Sequence, residues 1–137
     1  MRRLPVVIAL VCLCTVAFAA ENLLTNPDFA AEDGWMIRDG SGWEVAADAG
    51  PEGDAALVWS GGSGKAAEQT VQFVTPNAEH TVTATVHSDG TSRPVLRVVE
   101  VLTGETLATV TAEAEAGWQD LEAEFSPPSA DLRIQIY

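Results

Sequence analysis

The run Thr81-Val82-Thr83-Ala84-Thr85-Val86-His87 alternates strictly, with Val82, Ala84 and Val86 on one side and Thr81, Thr83, Thr85 and His87 on the other. β-Branched residues at period two are the pattern of a half-buried antiparallel strand. The alternation recurs at 120–125, where Leu121, Ala123 and Phe125 oppose an acidic row of Asp120, Glu122 and Glu124. It recurs at 132–137, with Leu132, Ile134 and Ile136 on the inner side. The run 95–102 is apolar on both sides, which predicts a central or covered strand. The first two of these strands extend over 80–87 and 119–125, and further strands are predicted at 23–24, 35–38, 43–46, 55–60, 68–74 and 106–111. Clusters of Gly, Pro, Asn and Asp separate them, at 39–42, 50–54, 61–64, 75–77, 89–90, 103–105 and 127–128. Ala112 to Ala116 holds at most one helical turn, and no longer segment has helical period. The expectation is an all-β fold, a single two-layer antiparallel β-sandwich. Its predicted core is Phe29, Leu57, Trp59, Phe73, Val82, Ala84, Val86, Leu121, Phe125, Ile134 and Ile136.

The first twenty residues break this pattern. Arg2 and Arg3 precede an apolar run too short for a comfortable membrane span, and Ala17-Phe18-Ala19 is a small-x-small motif. Residues 1–20 therefore read as a signal peptide, cut after Ala19 or Ala20, and 21–137 as the exported domain, in the periplasm or outside the cell. Nothing then holds it to a membrane. Cys12 and Cys14 leave with the leader, so no disulfide braces the remainder. About 115 residues bury roughly two-thirds of the surface of the unfolded chain, enough for one core.

The whole chain carries 7 basic and 20 acidic residues, a formal charge of −13. Losing Arg2 and Arg3 leaves five basic residues against 20 acids, hence −15. Such a chain repels nucleic acid, anionic lipid and polyuronic acids, and it favours neutral ligands or cations.

Catalytic chemistry finds little to build on. His80 and His87 are an odd number of positions apart, so one continuous strand puts them on opposite faces, where they cannot share a metal. The exported chain has no cysteine and no Gly-x-Ser-x-Gly elbow. Its carboxylates sit mainly in turns and on solvated faces. Sugar binding asks for less: a Trp or Tyr ring to stack on, and amides, carboxylates or guanidinium groups for hydroxyls. Trp59 and Trp35 read as core, whereas Trp43, beside the Gly-rich loop 39–42, is the best stacking candidate.

Several motifs occur in a telling order. Asn22-Leu23-Leu24-Thr25-Asn26-Pro27-Asp28-Phe29 is followed by Gly34-Trp35. Then come Gln72-Phe73-Val74-Thr75-Pro76, His80-Thr81-Val82-Thr83-Ala84, and Trp118-Gln119-x-Leu121-x-x-x-Phe125 leading to Pro127. This order resembles the carbohydrate-binding modules of the cellulose- and xylan-binding families four, nine and twenty-two. The resemblance implies a galactose-binding-domain-like jelly roll. It implies packing for Trp118. It places a glycan cleft on the solvent side of one curved sheet, where Gln72, Thr83, Thr85, His87, Arg97, Arg133, Gln135 and Tyr137 point outward. The implied binding set is Trp43, Gln72, His87, Arg97, Arg133, Gln135 and Tyr137. No cofactor is required by this reading, although the related modules often hold a structural calcium near the entry corner. Ala30 stands where the family has a Glu, leaving Asp28, Glu32 and Asp33 as the substitute oxygen ligands. The family adds one more strand beyond the position of Tyr137, so the pattern breaks off before its expected end.

The function expected from this is a secreted, non-catalytic module for neutral polysaccharide such as glucan or xylan. It would be a monomer or the N-terminal part of a multidomain chain, whose attached catalytic domain would be a glycoside hydrolase. The alternative is a structural or interaction sandwich that keeps the fold without a sugar site.

Overall fold

The computed structural model describes residues 6–15, 22–63 and 65–137. The start at Arg2 and Arg3, the cleavage motif at 17–19 and Gly64 lie outside the described residues. In chain order the strands are β1 (Val6–Thr15), β2 (Trp43–Ala46), β3 (Ala56–Trp59), β4 (Ala67–Val71), β5 (His80–Asp89), β6 (Val95–Glu100), β7 (Thr106–Thr111), β8 (Ala116–Phe125) and β9 (Leu132–Ile136). They form two sheets, ordered β2-β3-β1-β5-β8 and β4-β9-β6-β7, with every pair antiparallel. The chain is thus a two-layer antiparallel β-sandwich. No helix among the described residues is long and apolar enough to cross a membrane.

The alternation of the sequence is the alternation of burial. Along β5, Val82, Ala84 and Val86 are buried while Thr81, Thr83, Thr85 and His87 are half-buried on the other face. Leu121 and Phe125 of β8 face them across the ladder positions Ala84↔Leu121 and His80↔Phe125. From the opposite sheet, Leu96 and Val98 of β6 and Leu132, Ile134 and Ile136 of β9 complete one continuous core. Strands 43–46 and 106–111 form where the pattern put them.

Three segments depart from the sequence pattern. Residues 23–24 make no strand, because Asn22 Oδ1 accepts from Leu24 N and Asn26 turns the chain at φ 46°. Leu24 is buried all the same. Of 35–38, only Met36 pairs, in a single bridge to Glu68. The strand expected at 68–74 stops at Val71. Phe73 then adopts φ 62° and is 92% exposed, which corrects its assignment to the core. Val74 takes the inward place instead, held by its N–H to the carbonyl of Ala130. A parity argument presumes an unbroken strand, and the positive φ breaks it.

The entry corner is closed by its own polar groups. The Gln69 side chain, buried in the sandwich, accepts from Thr25 N at 2.7 Å and donates to Thr25 O at 2.9 Å. Trp35 Nε1 donates to Asn26 O, and its ring lies 5.1 Å from Phe29. Phe29 and Trp35 are both buried as expected.

At the other end of the sandwich, loop 39–42 lies against loop 60–63. Ser60 N donates to Gly42 O, Ser63 N to Gly40 O, and Trp59 Nε1 to Ser41 O. Gly42 sits at φ 89°, and a Cβ there would stand 2.7 Å from the Gly61 carbonyl and from Trp59 Nε1. Gly42→Ala is therefore expected to lower stability by about 2 kcal/mol or more, through strain and a clash together. Gly53, at φ 78° with open space around it, is the control. Gly53→Ala should cost only the backbone strain, about 1 kcal/mol. Urea midpoints of the two variants measure the difference.

The segment expected as a leader, Val6–Thr15, occupies the middle of the five-stranded sheet. Val6, Ile8 and Val11 belong to the main core, and Val7 packs with Ala56 and Val58 on the other side of the sheet. An apolar run rich in branched residues satisfies a central strand as well as it satisfies a leader.

Candidate functional site

The outer face of the four-stranded sheet gathers most of the chemistry. Ladder positions bring Glu68 of β4, Gln135 of β9 and Arg97 of β6 into one row across the strands. Their side chains are joined: Arg97 Nε donates to Gln135 Oε1 at 2.9 Å, and Gln135 Nε2 donates to Glu68 Oε2 at 2.9 Å. Arg38 Nη2 reaches Glu68 Oε1 at 3.3 Å, and Arg133 Nε stands 3.9 Å from Glu68 Oε2. The Arg97 guanidinium lies over the Tyr137 ring, 4.8 Å from its centroid, which fixes the ring by a cation–π contact. Tyr137 is 37% exposed.

Of the residues expected to bind sugar, the fold brings together Arg97, Arg133, Gln135 and Tyr137. Gln72 is exposed just beyond the end of β4, apart from that row. His87 lies on the other sheet, where its ring meets the edge of Trp118 at 5.2 Å. Trp118, expected to pack, is 39% exposed there. Trp43 is 7% exposed and belongs to the core, which corrects its reading as an open stacking ring. It pairs with Trp59 across β2 and β3, and loop 39–42 turns back against the loop after β3. Its Nε1 is buried with no hydrogen-bond partner.

Trp43 nonetheless lines a cavity of about 200 Å³ at the end of the sandwich, with Val6, Trp59, Arg93, Pro94 and Tyr137. Trp59 is half-buried rather than fully inward. Tyr137 thus belongs both to the outer-face network and to the tryptophan-lined cavity.

Glu68 and Arg38 were not among the expected site residues. Glu68 shares strand parity with Gln72, which marks it as outward, but nothing local in the sequence says that it sits beside Gln135. That proximity comes from β4 pairing with β9 across 67 positions.

The opposite sheet presents a different surface. Asp120, Glu122 and Glu124 of β8 form an exposed acidic row, with Thr85 Oγ1 donating to Asp120 Oδ1. His80 is buried and His87 faces outward, so the two histidines are on opposite faces as the spacing requires. At the entry corner, Asp28, Glu32 and Asp33 are exposed. Asp28 Oδ1 accepts from Ala30 N, while Glu32 and Asp33 use backbone carbonyls to hold Trp35 N and the Asn26 amide. Among the described residues no group of three or more His, Cys, Asp or Glu is placed to hold a metal ion.

No family model matches the chain, and no curated protein matches it.

Proposed function

We propose that the chain is a secreted, non-catalytic module that binds neutral polysaccharide, with its site where the outer face of the four-stranded sheet meets the end cavity. The observation that carries this reading is the double membership of Tyr137. Its ring is steadied by Arg97, and the residue lines the end cavity together with Trp43 and Trp59. A pyranose needs one apolar ring face and in-plane polar groups for its hydroxyls. Tyr137, Trp59, Gln135, Arg97 and Arg133 supply both within one surface. Gln72 and His87 are outside this site. Structural calcium at Asp28, Glu32 and Asp33 is not part of the proposal.

The preference for neutral glycans rests on the charge of the exported chain and on the acidic row of β8, which repel a polyanion at long range. The sugar-binding families that the motif order resembles, with their jelly roll, support the same reading. Affinity electrophoresis on soluble glucan, xylan and polygalacturonate tests it. Retardation is expected with glucan or xylan and should depend little on salt. Tyr137→Ala should weaken it by about 1–3 kcal/mol. Retardation by polygalacturonate alone would end the charge argument.

One observation favours the alternative, an interaction sandwich without a sugar site. Both ends of the Gln135 amide are already engaged, by Arg97 and by Glu68. On that reading the network ties three strands together, and no polymer retards the chain.

A further inference from the structure

Two arginines beside the end cavity have no acidic partner, in a chain with 20 acidic residues. Arg97 donates through Nε to Gln135 Oε1 at 2.9 Å, and Arg93 through Nε to the carbonyl of Ala112 at 2.7 Å. Both acceptors are neutral. Among the described residues the ion pairs are those of Arg38 and Arg133, both with Glu68. The two unbalanced guanidinium groups meet at one residue. Arg97 lies over the Tyr137 ring at 4.8 Å, and Arg93 lines the end cavity with Tyr137. The backbone explains this convergence. Tyr137 exchanges both of its main-chain hydrogen bonds with Val95, midway between the two arginines in sequence.

The rest of the cavity wall is apolar. Trp59 gives its indole N–H to Ser41 O, and Trp43 Nε1 is buried, so both indoles offer the cavity carbon surface. Pro94 and Val6 add to that surface. The cavity, at about 200 Å³, lies below the roughly 300–1,000 Å³ of sites for drug-sized ligands, which leaves room for one ring and not for an oligomer. An apolar wall with an unbalanced charge beside it suits a ring that carries an anion on its edge. Because Nε of each arginine is already anchored, the guanidinium planes are held in advance. A carboxylate can then be gripped by a planar fork with little further ordering.

We propose that the end cavity is a subsite for one uronic acid ring, borne as a side group on an otherwise neutral glycan. The inference rests on reading the chain as a polysaccharide-binding module, and it names the substituent that module selects. Arg93 takes the carboxylate, Arg97 adds to the local positive field, and the carbon face of the ring packs on Trp59 and Tyr137. The spacing of the acid groups matters as much as their presence. A polymer charged at every ring is repelled by a chain of formal charge −13. Side groups spaced beyond the screening length, about 8 Å at physiological ionic strength, meet the arginines one at a time.

The test is affinity electrophoresis of the full chain on glucuronoxylan and on the same polymer after its carboxyl groups are reduced to alcohols. The native polymer should bind at least ~10-fold more tightly at low salt, and the ratio should fall towards one as salt is raised. Arg93→Gln removes the charge and keeps a side-chain donor for Ala112 O, and it should also bring the ratio close to one. The comparison of the two polymers on the unaltered chain needs no variant, so it decides the matter even if the substitution impairs folding. Free glucuronate, which lacks the neutral backbone, should bind at least ~10-fold more weakly than glucuronoxylan.

Equal retardation by the native and the reduced polymer would overturn the uronate subsite and leave the neutral-glycan reading standing. Retardation by neither would overturn both. A ratio that survives high salt and Arg93→Gln would move the acid group away from this cavity. Free glucuronate binding as tightly as the polymer would make a small acid the ligand and overturn the side-group form. Tighter binding of polygalacturonate than of glucuronoxylan would overturn the spacing argument.

Discussion

Phe29→Ala is expected to destabilise the protein by about 3–5 kcal/mol and leave a substantial unfolded population under mild conditions. Phe29 is fully buried, and its ring stands 5.1 Å from that of Trp35 in the same core. Truncation removes the transfer free energy of the ring and leaves a cavity. The corner has limited freedom to collapse into it, because Trp35 is held by its indole N–H to Asn26 O and the corner by Gln69 to Thr25. Phe73→Ala is the matched control. Phe29 and Phe73 share a positive φ, at 57° and 62°, so backbone strain is common to both substitutions. They differ in burial, and Phe73→Ala should stay within about 0.5 kcal/mol. Urea unfolding followed by tryptophan fluorescence separates the two. Equal losses would mean that the backbone conformation, rather than the ring in the core, governs this corner.

The contrast between those phenylalanines also marks how far the sequence could be read. Alternation located β5, β8 and β9 and named their inward residues, because side-chain direction in a regular strand follows from position alone. It failed at Phe73, where one positive φ resets the parity and only the tertiary bond from Val74 to Ala130 reveals which residue turns inward. It failed at 23–24, where the side chain of Asn22 competes for the backbone that a strand would use. For the site, the outward positions Arg97, Arg133, Gln135 and Tyr137 were legible one strand at a time. Their assembly around Glu68 was not, since β4, β9 and β6 meet only through long-range pairing. Trp43 failed for a related reason. A tryptophan beside a glycine-rich loop looks exposed until that loop is seen to meet residues 60–63. The apolar run at 6–15 fits two descriptions, export leader and central strand, because both require the same composition.

Glu68→Ala should cost about 2 kcal/mol of stability and also change which polymers the chain prefers. The carboxylate is largely buried and accepts from Gln135 at 2.9 Å and Arg38 at 3.3 Å, with Arg133 at 3.9 Å. Arg38 is half-exposed, so its pairing contributes little after solvent screening. The loss comes mainly from Gln135, whose amide is left without an acceptor on that side. Freed from Glu68, Gln135 no longer holds Arg97 in place, and Arg97 no longer steadies Tyr137. Retardation by glucan or xylan should therefore fall. The charge works the other way for an acidic polymer. Arg38, Arg97 and Arg133 now share a face with no carboxylate among them, so binding of polygalacturonate should rise and be abolished by salt. Glu68→Gln separates the two effects: it keeps an acceptor for Gln135 while removing the charge. It should therefore retain most of the stability and most of the neutral-glycan binding, yet still gain the salt-sensitive affinity. If Glu68→Ala leaves the urea midpoint and both polymer affinities unchanged, the network contributes neither to the sheet nor to the site, and Tyr137 is the residue on which the binding proposal must then stand alone.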